Sequence, residues 1–180
     1  MDSLTVALNG IRVGQLQMEP SGALAFQYST DWLDRPGARA ISLSMPLSAK
    51  RYRGALVYNF FDNLLPDSDA IRARMQAKFR IPTGHPFDLL SRIGRDCVGA
   101  IQLYPSGFKP PPVNTVDAKP LLEEDIEAIL KNHQDSPLGM TGSDEFRISL
   151  AGAQEKTALL WFKGQWHHPV GTTPTSVPSG

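Results

Sequence analysis

The sequence predicts an α+β fold in which a small N-terminal subdomain, a β-meander plus helices, precedes a second and shorter unit. Three observations predict it. Apolar and polar residues alternate with the two-residue period of strands through the first 28 residues. From Ala55 onward the apolar residues recur with the period of a helix. The Pro-rich stretch PSGFKPPPVNTVDAKP (105–120) then separates this part of the chain from the remainder.

The first 28 residues are predicted to form a three-stranded antiparallel meander. Asn9-Gly10 supplies the two positive-φ residues that a type I′ hairpin turn needs, and Pro20-Ser21-Gly22 marks the second turn. The alternating apolar residues of the three strands are Leu4, Val6, Leu8, Ile11, Val13, Leu16, Leu24, Phe26 and Tyr28. A shorter alternation at Ile41, Leu43 and Met45 predicts one further strand within an otherwise irregular segment.

Three helices and a strand are predicted before the Pro-rich stretch. They are a helix from Ala55 that Pro66 halts, a helix from a cap at Asp67 or Ser68 to about Lys78, a short helix after Pro86, and a strand from Gly99 to Tyr104. The apolar residues expected to face inward are Val57, Phe60, Phe61, Leu64, Ile71, Met75, Phe79, Phe87, Leu89, Leu90 and Ile93.

The Pro-rich stretch suits a semi-extended linker, which we place at residues 106–117, between units at 1–105 and 118–180. The second unit is predicted to begin with a helix near Leu121, whose first turn carries three acids that favour the positive end of the helix dipole. Strands are then predicted at residues 146–150, at 156–162 and around Trp166.

Composition and charge exclude several classes of protein. The 180 residues are 41% hydrophobic and 20% charged, so a wholly disordered chain is excluded. The 18 basic and 18 acidic residues cancel, which argues against an autonomous nucleic-acid binder. One cysteine, Cys97, excludes a disulfide framework and a cysteine-based zinc site. No apolar run approaches the roughly 20 residues that span a bilayer. The N-terminus lacks a signal-peptide pattern, so we expect a cytoplasmic protein with no membrane partner.

The sequence Ala151-Gly152-Ala153-Gln154-Glu155-Lys156 joins two predicted strands and is the most informative local pattern. A glycine between small residues lets backbone amides approach a phosphate closely, and the following lysine adds a positive charge. The spacing matches neither a Walker A loop nor GxGxxG, so a plain hairpin loop remains the alternative. Alternation exposes Ser149, in the preceding strand, either as a phosphorylation site or as a solvated serine.

Other polar clusters carry weaker hypotheses. The oxygen-bearing residues between Asp62 and Asp69 lack the central Gly and terminal Glu of a calcium loop, so helix capping at a sharp turn explains them better. The four basic residues between Arg72 and Arg80 are interpreted as a solvated helix face, and Cys97 as a buried structural thiol. No metal site is predicted, because ligand spacing is absent from the four histidines, His85, His133, His167 and His168.

Four long stretches follow one another in order: NFFDNLLPDS (59–68), PFDLLSRIGRDCVGA (86–100), FRISLAGAQEKTAL (146–159) and GTTPT (171–175). Together they resemble the HipA family, the serine/threonine-kinase toxins of bacterial toxin–antitoxin modules. The resemblance runs in register from the Asn9-Gly10 hairpin to about Thr175. It implies a HipA N-terminal subdomain at residues 1–105, followed at 118–180 by an incomplete protein-kinase-like N-lobe.

The resemblance also implies residue roles, ligands and partners. Ala151 to Lys156 matches the family's nucleotide-phosphate loop, and Ser149 matches the serine that HipA kinases autophosphorylate, which ejects the loop and abolishes ATP binding. ATP and Mg²⁺ are the implied ligands of the full-length kinase. The implied partners are a HipB-like helix-turn-helix antitoxin dimer, operator DNA reached mainly through that antitoxin, and glutamyl-tRNA synthetase as substrate. Phosphorylation of that substrate would cause growth arrest and persistence.

The chain departs from the family after GTTPT. In HipA proteins this segment leads into a strand whose lysine grips the nucleotide, whereas no lysine follows Lys163 here. The catalytic and metal-binding aspartates of the family's C-lobe also lie outside this chain, so we assign no catalytic residue. We expect the chain alone to be inactive and to bind ATP weakly at best. Three interpretations stay open: the N-terminal part of a HipA-type kinase, a non-enzymatic module that regulates or neutralises such a kinase, and an inert truncated allele.

Overall fold

The computed structural model describes residues 2–96, 100–112, 115–135, 159–170 and 173. The chain divides into two units, residues 1–110 and 111–180, with the division inside the Pro-rich stretch. The strands of the first unit are β1 (Ser3–Leu8), β2 (Ile11–Met18), β3 (Leu24–Tyr28), β4 (Tyr52–Arg53) and β5 (Ile101–Pro105). Its helices are α1 (Thr30–Leu33), α2 (Ala55–Asp62), α3 (Asp69–Phe79) and α4 (Pro86–Ile93), the last followed by the 3₁₀ turn Gly94–Asp96. The predicted α+β fold is therefore confirmed.

The five strands of the first unit form one antiparallel sheet in the order β4-β3-β2-β1-β5. The predicted meander is confirmed, and its first turn has the expected conformation, since φ is 51° at Asn9 and 73° at Gly10. The predicted strand near Gly99 is also present as β5, which pairs with β1. Strand β4 was not predicted, because its two residues gain their partners, Ala25 and Phe26, from a distant part of the chain.

A β-bulge in β2 makes one glycine indispensable. The β1–β2 register shifts between Val6, which faces Gly14, and Ala7, which faces Arg12, so Val13 is the extra residue. The carbonyl oxygen of Val13 accepts the N–H of Ser29 at 2.9 Å, which ties the bulge to the end of β3. A Cβ at Gly14 would overlap the carbonyl oxygen of Gln27 in β3. Only glycine therefore allows β2 and β3 to approach this closely.

The core of the first unit lies between the sheet and the helices. The ring of Phe61 in α2 lies 5.9 Å from that of Phe26 in β3, measured between centroids. The predicted inward residues that are buried are Val57, Phe61, Met75, Phe87, Leu89, Leu90 and Ile93, whereas Phe60, Leu64, Ile71 and Phe79 are half-buried. Each fully buried Val, Leu, Ile, Met or Phe side chain contributes about 1.5–3 kcal/mol to folding stability, because its apolar surface is removed from water. Helix α4 starts at Pro86, and the Nδ1 atom of His85 accepts the N–H of Phe87 at 3.2 Å.

The predicted strand at Ile41, Leu43 and Met45 is wrong. These residues lie in a tight turn closed by a single bridge between Ser42 and Met45. Met45 is fully buried, whereas Leu43 is fully exposed. The Tyr28 hydroxyl holds both sides of the turn, donating to the Met45 carbonyl at 2.6 Å and accepting the Ile41 N–H at 2.9 Å. A side chain from β3 thus supplies the hydrogen bonds that a neighbouring strand would otherwise give.

In the second unit the described elements are β6 (Ala118–Pro120), α5 (Glu123–Asp135), β7 (Leu160–Phe162) and β8 (Gln165–Pro169). Strands β6 and β7 both pair antiparallel with β8. The β7–β8 turn has positive φ at Lys163 and Gly164, as expected for a type I′ turn. Strand β6 was not predicted, because it lies within the Pro-rich stretch. The predicted strand at residues 146–150 lies outside the described residues.

A membrane-spanning helix is not among the described elements. No helix in the described ranges is both long enough and apolar enough to cross a bilayer.

Candidate functional site

The predicted phosphate loop, residues 151–156, and the predicted phosphorylation site, Ser149, lie outside the described residues. The elements that flank them in the sequence are described. Strand β7 begins four residues after Lys156, and α5 ends at Asp135, before Ser149 in the sequence. The structure therefore describes the elements before and after the predicted site in the sequence, and the site residues themselves stay predictions.

Thr173, the central residue of GTTPT, joins the end of β8 to the start of β6. Its hydroxyl accepts the N–H of Asp117 at 2.8 Å and donates to the Asp117 carbonyl oxygen at 2.7 Å. The same carbonyl oxygen accepts the N–H of Val170 at 2.8 Å. Thr173 is 4% exposed, so these bonds are shielded from water. Thr173 is thus fixed beside β6 by a side chain that acts as both donor and acceptor.

The β7–β8 hairpin is held by aromatic pairs. Trp161 and Trp166 face each other across the strands with centroids 5.1 Å apart, inclined by 67°. The buried His167 ring lies 5.9 Å from that of Phe162, and its Nδ1 atom is 3.1 Å from the Gln165 carbonyl oxygen. Edge-to-face pairs of this kind stabilise a hairpin by about 0.5–1.5 kcal/mol each. The strand that follows the predicted phosphate loop is therefore rigidly paired.

Metal ligands do not converge in the described part of the chain. No group of three His, Cys, Asp or Glu residues there could hold an ion. His167 is buried and the adjacent His168 is half-exposed, in keeping with neighbours on opposite faces of β8. His85 is occupied as a helix cap. The side chain of His133 and all of Cys97 lie outside the described residues.

The polar residues around the α2–α3 break form a structural corner. The Arg72 guanidinium binds the Asp62 carboxylate, with Nη1 2.6 Å from Oδ1, and its Nε donates to the Pro66 carbonyl oxygen at 2.6 Å. Ser68 occupies the N-cap of α3, but its side chain makes no capping bond. The prediction of a sharp interhelical turn fits this geometry, whereas the interpretation of Arg72 as part of a solvated face is wrong. Only 17% of the Arg72 side chain is exposed, because it braces the corner.

Among the described residues, Tyr28 is a titratable group whose surroundings shift its pKa. Burial raises the pKa of its hydroxyl, the hydrogen bond from the Ile41 N–H lowers that pKa, and the nearby Tyr52 raises it. The phenol therefore stays neutral and holds the turn at Leu43 through its two hydrogen bonds. Its role in the described structure is to position this turn.

Sequence reasoning missed the partners of Thr173 and Arg72. Asp117 lies 56 residues before Thr173 and contributes only backbone atoms, so no residue type marks it as a partner. Asp62 is nearer to Arg72, ten residues away, but an acid and a base at that spacing predict a contact only if the chain is known to turn between them. The turn signal was present at Pro66, and combining it with the acid and the base could have found this pair.

Comparison with known proteins adds the family context. The sequence model of a family described as the HipA N-terminal domain matches residues 4–104. A protein of Sinorhizobium fredii (strain NBRC 101917 / NGR234) named "Putative kinase Y4mE" is 34% identical over 176 residues. The alignment covers 96% of this chain and 41% of that relative. The chain thus spans about two-fifths of the length of this relative.

Proposed function

This chain belongs to the HipA family, and from that premise we propose that it forms the N-terminal part of a HipA-type protein serine/threonine kinase. The observation that carries the proposal is the extent of the similarity. The family match covers most of the first unit, and the alignment with the S. fredii protein covers 96% of the chain, so it continues well into the second unit. Because the chain spans 41% of that relative, phosphoryl transfer is assigned to the longer polypeptide.

In this proposal the loop Ala151–Lys156 receives the phosphates of ATP. Backbone N–H groups near Gly152 would contact the phosphate oxygens, and the Lys156 ammonium would add a positive charge. Phosphorylation of Ser149, two residues before the loop, would add nearly two negative charges. Those charges would repel the ATP phosphates, so modification of Ser149 would switch the site off.

The described scaffold supports this proposal through its rigidity. Phosphoryl transfer depends on positioning and on electrostatic stabilisation, so a nucleotide loop needs a fixed frame. The paired Trp161 and Trp166 fix the hairpin that follows the loop in the sequence, and two hydrogen bonds to Asp117 fix Thr173 beside β6. Mg²⁺ would be held by the longer kinase, because the family's metal-binding aspartate belongs to the C-lobe.

The wider role that we propose is that of a toxin kinase in a toxin–antitoxin module of the cytoplasm. A HipB-like helix-turn-helix antitoxin dimer would tether the kinase to operator DNA. The proposed substrate is glutamyl-tRNA synthetase, whose phosphorylation on serine would stop growth and give persistence. The family membership supports this role.

Calorimetric titration of the purified chain with Mg·ATP tests the loop. We expect weak binding, on the order of millimolar, because the chain provides one side of a two-lobed site. Lys156→Ala should weaken it further, and Lys163→Ala, which removes an exposed lysine from the β7–β8 turn, serves as the matched control. Micromolar affinity that Lys156→Ala leaves unchanged would place the nucleotide elsewhere and contradict the proposal.

A second candidate function is regulation of a HipA-type kinase by this chain as a binding module. The first unit favours it, because that unit has its own buried core and coincides closely with the matched residues 4–104. Adding the chain to a full-length HipA-type kinase distinguishes the two functions. A regulator would change the rate of kinase autophosphorylation in proportion to the chain added, whereas an unchanged rate would exclude regulation.

A further inference from the structure

Charge is divided unequally between the two units. Residues 1–110 hold 13 Lys and Arg against 9 Asp and Glu, whereas residues 111–180 hold 5 against 9. The zero net charge of the whole chain is therefore the sum of a basic first unit and an acidic second unit. The expectation that net charge argues against contact with nucleic acid does not apply to that unit taken by itself.

Helix α3 has a basic face. Arg74 and Lys78 are four residues apart, so they lie on the same side of the helix, and both are exposed. The exposed neighbours on that side are alanines, Ala70, Ala73 and Ala77. Ile71 on the same side is half-buried, and Asp69 in the first turn borders the face beside Ala73. Arg80, in the left-handed conformation at the C-cap, adds a third exposed cation just beyond the helix. We call Ala70, Ala73, Arg74, Ala77 and Lys78 the α3 face.

The other side of α3 holds this face in place. Met75 is fully buried, and Arg72 is bound to Asp62 and to the Pro66 carbonyl oxygen. Among the residues that the structure describes, neither Arg74 nor Lys78 takes part in an ion pair, although the Lys78 ammonium lies 5.7 Å from the centre of the Phe79 ring. Two cations on an anchored helix are therefore available to an external anion.

We infer that the α3 face binds the phosphate backbone of double-stranded DNA. Alanine side chains are short, so the helix can approach a surface closely while the longer cationic side chains reach its anions. Arg74 and Lys78 are separated by about 6 Å along the helix axis, from four residues of 1.5 Å each. Duplex DNA carries one negative charge per about 1.7 Å of its axis, so both cations can pair with phosphates together.

Contacts of this kind give affinity and orientation, and they do not read sequence. The binding is therefore expected to be weak, independent of base sequence and strongly dependent on salt. It concerns the first unit only and does not depend on the proposed kinase activity. Failure of one proposal would leave the other intact.

The test measures binding of the full chain to a fluorescein-labelled duplex of unrelated sequence, by anisotropy, over a series of salt concentrations. The test variant is Arg74→Ala/Lys78→Ala. The control is Arg35→Ala/Lys50→Ala, which removes two exposed cations from the same unit and changes the net charge equally. Circular dichroism confirms that both variants fold.

We expect Arg74→Ala/Lys78→Ala to weaken binding on the order of ten-fold per charge at low salt, and to reduce the slope of log K against log salt by about 1.8, at 0.9 per phosphate contact. The control should stay within two-fold of the unmodified chain. Equal loss in both variants would mean unspecific attraction by net charge and overturn the inference. So would binding of poly-glutamate without binding of the duplex, because it would assign the face to an acidic protein.

Discussion

Replacement of Tyr28 by Phe tests how the first unit positions the turn at Leu43. The substitution keeps the ring and removes only the hydroxyl, which donates to the Met45 carbonyl and accepts the Ile41 N–H. Met45 is fully buried, so its carbonyl loses a donor that water cannot replace, at a cost of about 1–3 kcal/mol. Ile41 is half-buried, so its N–H can bond to water instead, and the loss of its acceptor costs less than the loss at Met45. We predict a loss of about 2–3 kcal/mol in the free energy of unfolding, or about 10 °C in Tm for a unit of this size.

Urea denaturation followed by the fluorescence of Trp32 measures this loss. The chain has three tryptophans, so Trp161→Phe/Trp166→Phe provides a background in which Trp32 alone reports on the first unit. Tyr58→Phe is the matched control, because Tyr58 is 38% exposed and loss of its hydroxyl should change stability by less than about 0.5 kcal/mol. A Tyr28→Phe variant as stable as the Tyr58→Phe control would refute the assigned role of Tyr28.

The pKa of Tyr28 also predicts how the free energy of unfolding depends on pH, which the unmodified chain and Tyr28→Phe can test. Burial raises the pKa of Tyr28 in the folded chain, whereas in the unfolded chain the phenol ionises near its usual value of about 10. The unfolded state therefore releases its proton first, and the contribution of Tyr28 is complete below that pH and is lost as pH rises through the folded pKa. Above about pH 10, the unmodified chain should lose stability more steeply than Tyr28→Phe. Equal slopes would show that the hydroxyl is not shielded.

Two further substitutions test the backbone and the second unit. Gly14→Ala should destabilise the first unit by about 3 kcal/mol, because the added Cβ overlaps the Gln27 carbonyl oxygen. Gly84→Ala is its control, since a Cβ there meets nothing closer than 3.6 Å, and a urea midpoint for Gly14→Ala equal to that of the control would contradict the close approach of β2 and β3. Thr173→Val should cost the second unit about 1–3 kcal/mol by removing both bonds to Asp117, whereas Thr173→Ser should keep them. Urea denaturation followed by the fluorescence of Trp161 and Trp166 measures this loss of stability. Equal stability of the valine and serine variants would count against the two hydrogen bonds between Thr173 and Asp117.

The elements that sequence reasoning located are those fixed by local chemistry. The Asn9-Gly10 turn follows from two residues that tolerate positive φ, and the start of α4 follows from Pro86 and the apolar spacing behind it. The alternation at Leu43 misled, because the Tyr28 hydroxyl takes up the hydrogen bonds of that segment and closes it into a turn. Sequence spacing carries no information on that long-range partner.

The two missed strands have the same physical origin. Tyr52–Arg53 and Ala118–Pro120 are too short for any periodicity to appear, and each becomes a strand only by pairing with a remote one. The candidate site is a different matter, since Ser149 and the loop Ala151–Lys156 were identified through a resemblance to a family. Pattern alone left a plain hairpin loop as the alternative, because one glycine and one lysine are compatible with many loops.

Phosphate mapping on Ser149 tests the central proposal most directly. The purified chain is incubated with Mg·ATP, alone and together with an active full-length HipA-type kinase, and phosphopeptides are mapped by mass spectrometry, with Ser149→Ala and Ser143→Ala as paired variants. We predict no phosphate on the chain alone, because the proposal assigns phosphoryl transfer to the longer polypeptide, of which the chain spans about two-fifths in the aligned relative. With the kinase present, we predict phosphate on Ser149 that Ser149→Ala removes and Ser143→Ala retains. Phosphate on Ser149 in the chain alone, or its absence in the presence of the active kinase, would contradict the proposal.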